Sequence, residues 1–260
     1  MKQPPRAVDP AMASTESDYD LHFYFDPVCP FAWLTSRWVE MVADQKDYSV
    51  DWRFISLRIL NKDKDYAKEF PPEYEAGHSA GLRLLRVAAA VRAGEGRAAI
   101  GPLYTAMSSG IFDVAAPSTK TETRLAWGTV EHVNPILAAL GLDSSYAYAL
   151  TDENFDAVIE AETEEALSLA GRDVGTPILS FNPPNGQAFF GPVISRLPSP
   201  EEAVPLWDAV ITMASFPGFA ELKRSLRERP QLRSFGIEPG EAGQVEDWHG
   251  GSRRLNSDKG

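Results

Sequence analysis

Leu21-His22-Phe23-Tyr24-Phe25-Asp26-Pro27-Val28-Cys29-Pro30-Phe31-Ala32-Trp33 carries two periodicities, one on each side of a single thiol. Leu21, Phe23 and Phe25 alternate with His22, Tyr24 and Asp26, which is the period of a strand. Beyond the thiol, Phe31, Leu34, Trp38, Met41 and Val42 recur at spacings of three and four, the pattern of an amphipathic helix. Pro30 suits the first helical turn, where a missing N–H leaves no hydrogen bond unmade. Val50, Trp52 and Phe54 then alternate with Asp51 and Arg53, so the opening reads strand, helix, strand. Such a unit is parallel with a right-handed connection. It places Cys29 at the carboxyl edge of the first strand, where open α/β sheets put their sites.

Outward from this unit the pattern becomes helical from about Tyr66 to Arg172, with segments around residues 82–91, 100–107, 120–140 and 153–170. Strand sequence returns at Pro177–Phe181. A Pro183-Pro184-Asn185-Gly186 turn and Ala188–Phe190 complete a hairpin. One or two helices are expected between Pro200 and Arg229. The expected organisation is a flexible segment over 1–19, an α/β domain from 20–65 and 173–229, a helical insertion over 66–172, and an extended or disordered tail over 230–260.

The chain has 260 residues, 25 Lys and Arg against 37 Asp and Glu, four His and one Cys. One cysteine excludes an intramolecular disulfide and a multi-cysteine zinc site, and no metal is expected. The net charge of −12 opposes binding to nucleic acid. No run of about 18 to 20 apolar residues would span a bilayer, and the first residues lack the apolar core of a signal peptide, so a cytoplasmic location away from membranes is expected. Gly94-Glu95-Gly96 lacks the strand-before, helix-after setting of a dinucleotide fingerprint, so no bound NAD or flavin is expected.

Position alone leaves Cys29 two readings. A helix N-terminus favours the thiolate and makes a nucleophile; a lone cysteine is also commonly a small buried hydrophobe. A second signal is Val174-Gly175-Thr176-Pro177, where a proline opens the strand after the insertion. Cys-Pro at the first helix with Thr-Pro at a later strand resembles the DsbA-like thioredoxin-fold superfamily. The run from Phe25 to Trp33, Ser36-Arg37-Trp38, Ser56-Leu57 with Leu60-Asn61, Phe190-Gly191-Pro192-Val193 and Pro217 to Arg224 are similar to the actinobacterial mycothiol-dependent nitroreductase family.

That resemblance implies a thioredoxin-like α/β fold with the large helical insertion between the second strand and a cis-proline strand. It implies Cys29 as catalytic residue within the motif Pro30, Phe31, Ala32 and Trp33, with Thr176, a cis Pro177, Asn61 and Tyr74 binding thiol or substrate. By chemistry alone Asn61 is a turn residue and Tyr74 a packing residue. The family pattern reads Cys-Pro-Trp-Cys, whereas this chain has Ala32 at the resolving position and Phe112 in a region where relatives often carry histidine. The implied activity is therefore a monothiol oxidoreductase. It uses a low-molecular-weight thiol, mycothiol, as co-substrate and reduces disulfides or electrophiles such as nitroaromatics. The alternatives are a glutathione-transferase-like isomerase of the same superfamily, and a non-catalytic thiol-binding protein whose dithiol chemistry was lost. The expected partners are the small-molecule thiol and its disulfide or electrophilic substrate, with a second copy of the chain as a candidate for a homodimer.

Overall fold

The alternating run before the thiol forms β1 (Leu21–Phe25), but all five of its residues are buried. The alternation predicts one wet face. In the computed structural model, which describes residues 19–238, 241 and 245–247, β1 lies inside a four-stranded sheet covered on both sides. α1 (Pro30–Ala43) returns the chain to β2 (Val50–Phe54), which pairs with β1 in parallel, Leu21 opposite Val50 and Phe25 opposite Phe54. The strand order is β2-β1-β3-β4, in which β3 (Ile178–Phe181) runs antiparallel to β1 and β4 (Ala188–Phe190) closes the expected hairpin. This is the thioredoxin-like arrangement.

Between β2 and β3 come two short helices, α2 (Leu57–Leu60) and α3 (Tyr66–Glu69), then the long α4 (Glu73–Glu95) and α5 (Ile100–Phe112). α6 (Lys120–Trp127), α7 (Val130–Ala139) and α8 (Asp156–Ala170) complete the insertion. The segment expected to be helical over 120–140 is divided because Gly128 packs against α4: a Cβ there would lie 3.2 Å from the Ala80 Cα. α8 lies over the second face of β1, where Ala166 joins Tyr24, Ile55 and Ile178 in a small apolar cluster. On the opposite face α1 meets α9 (Pro200–Ala214) through Trp38 and Trp207, ring centroids 5.2 Å apart, and the Trp38 indole N–H donates to the Ala203 carbonyl.

Of the one or two helices expected after Pro200, one forms. α9 ends at Ala214, ahead of the helix-breaking Pro217-Gly218, and the chain then forms β5 (Leu226–Glu228). β5 pairs antiparallel with β6 (Val245–Asp247), and Leu232 and Ile237 are 5% and 9% exposed. The described part of the expected 230–260 tail is thus anchored on the body by two apolar side chains. The expected N-terminal segment, Tyr19 apart, lies outside the described residues, as do 239–240, 242–244 and 248–260. No helix among the described residues is long and apolar enough to cross a membrane.

Candidate functional site

Cys29 is the N-cap of α1. Its extended backbone (φ −87°, ψ 114°) turns the side chain onto the open end of the helix, and Sγ accepts from the Ala32 N–H at 3.4 Å. The thiol donates to the Thr176 carbonyl, also at 3.4 Å, across 147 residues of chain. The Thr176–Pro177 peptide is cis, and the Thr176 hydroxyl is itself tied to the Tyr24 carbonyl of β1 at 3.3 Å. The Phe190–Val193 turn closes the far side of this loop. Gly191 has φ +94°, its N–H reaches the Pro177 carbonyl, and the Thr35 hydroxyl of α1 holds the Pro192 carbonyl at 2.8 Å.

Of the two influences open to Cys29, the helix start and burial, burial sets the thiol pKa. Burial pushes the thiol up to about 12; the Ala32 and Phe31 N–H groups oppose that shift and the nearby Asp26 carboxyl adds to it. Cys29 is only 5% exposed, so desolvation of the anion outweighs the N–H groups that would stabilise it. The resting thiol is protonated at neutral pH.

Asp26 is the first group that periodicity alone missed. It closes β1, is fully buried, and accepts from the Val28 N–H (3.1 Å) and the Leu57 N–H (2.7 Å). Burial pushes its carboxyl up to about 7 against those two hydrogen bonds. The alternation that put Asp26 on a wet face assumed a half-exposed strand. α4 approaches so closely here that a Cβ on Gly81 would lie 2.5 Å from Asp26 Oδ1 and 2.9 Å from Val28 Cγ2.

A cleft of about 2670 Å³ opens beside the sulfur, and Cys29, Pro30, Phe31, Asn61, Tyr74 and Thr176 all line it. Ala32 and Trp33 lie beneath this surface, in the core. Trp33 stacks on Phe112 with centroids 6.3 Å apart and donates its indole N–H to Asp113. Phe112 also reaches the cleft, so an apolar ring stands there. The Asn61 amide donates to the Leu57 carbonyl at 2.8 Å, finishing α2, and Tyr74 stacks on Phe70 at 5.9 Å.

His78 is a second group of the site that the sequence does not single out: it is 7% exposed and lines the same cleft. Its Nδ1 is paired with the Tyr66 hydroxyl at 2.9 Å. Burial, then the Arg124 and Arg58 guanidinium groups, push the imidazole down to about 3, so it is neutral at physiological pH. The signal was present in the sequence: positions 78, 81, 85 and 88 form the buried stripe of α4. Among the described residues no group of three or more His, Cys, Asp or Glu is placed to hold a metal ion.

The profile of the Rv2466c-like family, described as mycothiol-dependent nitroreductase Rv2466c, matches residues 28–224. The chain belongs to this family. The match runs from the residue before Cys29 to Arg224 and so spans the thiol, the helical insertion and the cis-proline loop. A curated relative, the uncharacterized protein Rv2286c of Mycobacterium tuberculosis, is 29% identical over 204 residues, covering 78% of this chain and 80% of its own. Two solved structures are similar at lower identity. A provisionally named protein disulfide isomerase from Nitrosomonas europaea is 13% identical with TM-score 0.47, covering 74% of this chain and 97% of its own. The cytosolic disulfide reductase DsbM from Pseudomonas aeruginosa is 14% identical with TM-score 0.41, covering 75% of this chain and 99% of its own.

Proposed function

We propose that this Rv2466c-like protein is a monothiol oxidoreductase whose catalytic residue is Cys29 and whose co-substrate is mycothiol. The observation that carries the reading is the seat of the sulfur: at the floor of the cleft, on the N-terminal turn of α1, with the Thr176 carbonyl before the cis proline as its partner. In the first step Cys29–SH and a disulfide R′S–SR′ give Cys29–S–SR′ and R′SH; the thiol proton leaves with the released thiol. In the second, a thiol RSH attacks the mixed disulfide and returns Cys29–SH with R′S–SR. With an electrophile such as a nitroaromatic, two thiols become one disulfide and supply two electrons and two protons.

Ala32 has no sulfur, so the second step is intermolecular. It forgoes the high effective concentration of a neighbouring thiol and requires a compartment rich in small thiols, which favours the cytoplasm. In this reading Thr176 and Pro177, just before β3, align the bound thiol, and Asn61 and Tyr74, which line the same cleft as Thr176, contact thiol or substrate.

Intact mass spectrometry after exposure to oxidised mycothiol and, separately, oxidised glutathione tests the proposal. One mycothiol adduct per chain is expected, absent in Cys29→Ser. No adduct with either disulfide refutes it. Consumption of thiol during turnover is expected as well; turnover without it would mark an isomerase.

A further inference from the structure

One face of α4 joins the thiol turn to a cationic, aromatic wall. Gly81 meets Asp26 and Val28, and Gly77, one turn earlier, meets Arg124, whose Cδ would lie 3.2 Å from a Cβ there. His78 stands between them on the same face, so the Asp26–Cys29 turn and the Arg124 side chain both fall within about one helical turn of it, roughly 5 Å along the axis. Nδ1 is engaged by Tyr66, and among the described residues Nε2 makes no hydrogen bond. With the Tyr66 hydroxyl donating to Nδ1, the proton sits on Nε2, which is then a donor into the cleft. The Arg124 guanidinium lies over the Tyr74 ring at 5.0 Å and the Trp127 ring at 5.9 Å, and donates to the Glu73 carbonyl.

The charge balance of the cleft is the reverse of that of the chain. Nine Lys or Arg and seven Asp or Glu line it, where the whole chain has 25 against 37. The lining of the opening therefore carries a small excess of positive charge within an acidic protein, which favours anions there.

We propose that the wall made by His78, Arg124, Tyr74 and Trp127 is an oxyanion subsite, which takes the acidic oxygen group of a flat aromatic substrate with its ring beside the Tyr74 and Trp127 edges, on the cleft that Cys29 also lines. The proposal rests on the monothiol reading and names the class of its substrate: aromatic electrophiles bearing a carboxylate or a similar anionic group. Arg124 supplies charge and His78 a neutral N–H donor. Burial and the two guanidinium groups keep that imidazole from protonating, so it does not add a second charge whose strength would vary with pH.

Calorimetric titration of the Cys29→Ser chain with 4-nitrobenzoate and with its neutral isostere 4-nitrobenzamide tests this without any thiol chemistry. The benzoate is expected to bind about tenfold tighter, the worth of one hydrogen bond to a charged group. Arg124→Gln should remove the preference, Arg124→Lys should retain part of it, and His78→Phe should reduce it. Neutralising a cation outside the cleft, Lys46→Gln, should leave it intact. Equal affinity for the two ligands, no binding of either, or a preference that survives Arg124→Gln overturns the proposal. The comparison of the two ligands on the Cys29→Ser chain stands even where a further variant fails to fold. Because the readout involves no sulfur, loss of the Cys29 adduct and loss of the anion preference are separate failures.

Discussion

Replacing Gly81 with alanine should destabilise the protein, against the usual effect of that change in a helix. Glycine within a helix costs about 1 kcal/mol relative to alanine, so Gly→Ala at an open helical site is stabilising. At Gly81 the added Cβ would lie 2.5 Å from Asp26 Oδ1 and 2.9 Å from Val28 Cγ2, closer than real Cβ atoms approach. Neither neighbour is the loose end of a flexible chain: the carboxylate is pinned by the Val28 and Leu57 N–H groups, and Val28 precedes the N-cap. Overpacking of a fixed core site costs about 1–3 kcal/mol, and an N–H left without its acceptor adds about 1 kcal/mol or more. Against a propensity gain of about 1 kcal/mol, the net is a loss of about 1–3 kcal/mol. Gly110 in α5 is the matched control: a Cβ there meets only His132 Cε1, at 3.7 Å, so Gly110→Ala should stabilise by about 0.5–1 kcal/mol. Urea unfolding of the two variants beside wild type measures the contrast through the midpoints at constant m. Equal or stabilising shifts for both would refute the close approach of α4 to the thiol turn.

The Asp26 carboxyl, ordinarily near 3.8, is pushed up to about 7 by burial, so the folded protein keeps a proton that the unfolded chain has lost across that window. Its contribution is complete below the unfolded value and is lost as pH rises through 7, by at most about 4 kcal/mol. Asp26→Asn should flatten the decline of the urea midpoint between about pH 4 and 7, and parallel profiles for variant and wild type would contradict the assignment. Ala32→Cys places a second sulfur one turn along α1 from Cys29, where the Ala32 N–H already meets Sγ at 3.4 Å. Bound thiol should then be released by an internal disulfide, faster than from wild type at equal free thiol. An unchanged release rate would mean that the two side chains do not meet.

The core of the fold was legible because its signals are local. The alternation of Leu21 to Phe25, the three-four spacing from Phe31 and the turn at Pro183 to Gly186 each name an element from within a few residues, and β1, α1, β2 and the hairpin follow them. What escaped depends on partners far along the chain. The second face of β1 is buried by α8, more than a hundred residues later, and the turn that follows it by α4, so a carboxylate read as wet is dry. Burial likewise decides between the two readings of the Cys29 thiol, since a helix N-terminus signals itself in sequence and desolvation does not. β5 and β6 have short, unpatterned sequences and exist only by pairing with each other. His78 was readable in principle, for its helical stripe points inward, but its meeting with Tyr66 and Arg124 required three elements to converge.

The partner of the sulfur is Thr176, made 147 residues after it. At the usual pace of chain synthesis that interval lasts roughly 7 to 30 s. For all of it the newborn chain has its thiol but not the Thr176 carbonyl that will pair with it. The completed insertion and the strand behind it then fold around the sulfur, so the thiol acquires its partner carbonyl and the cleft beside it together, and only in the second half of synthesis.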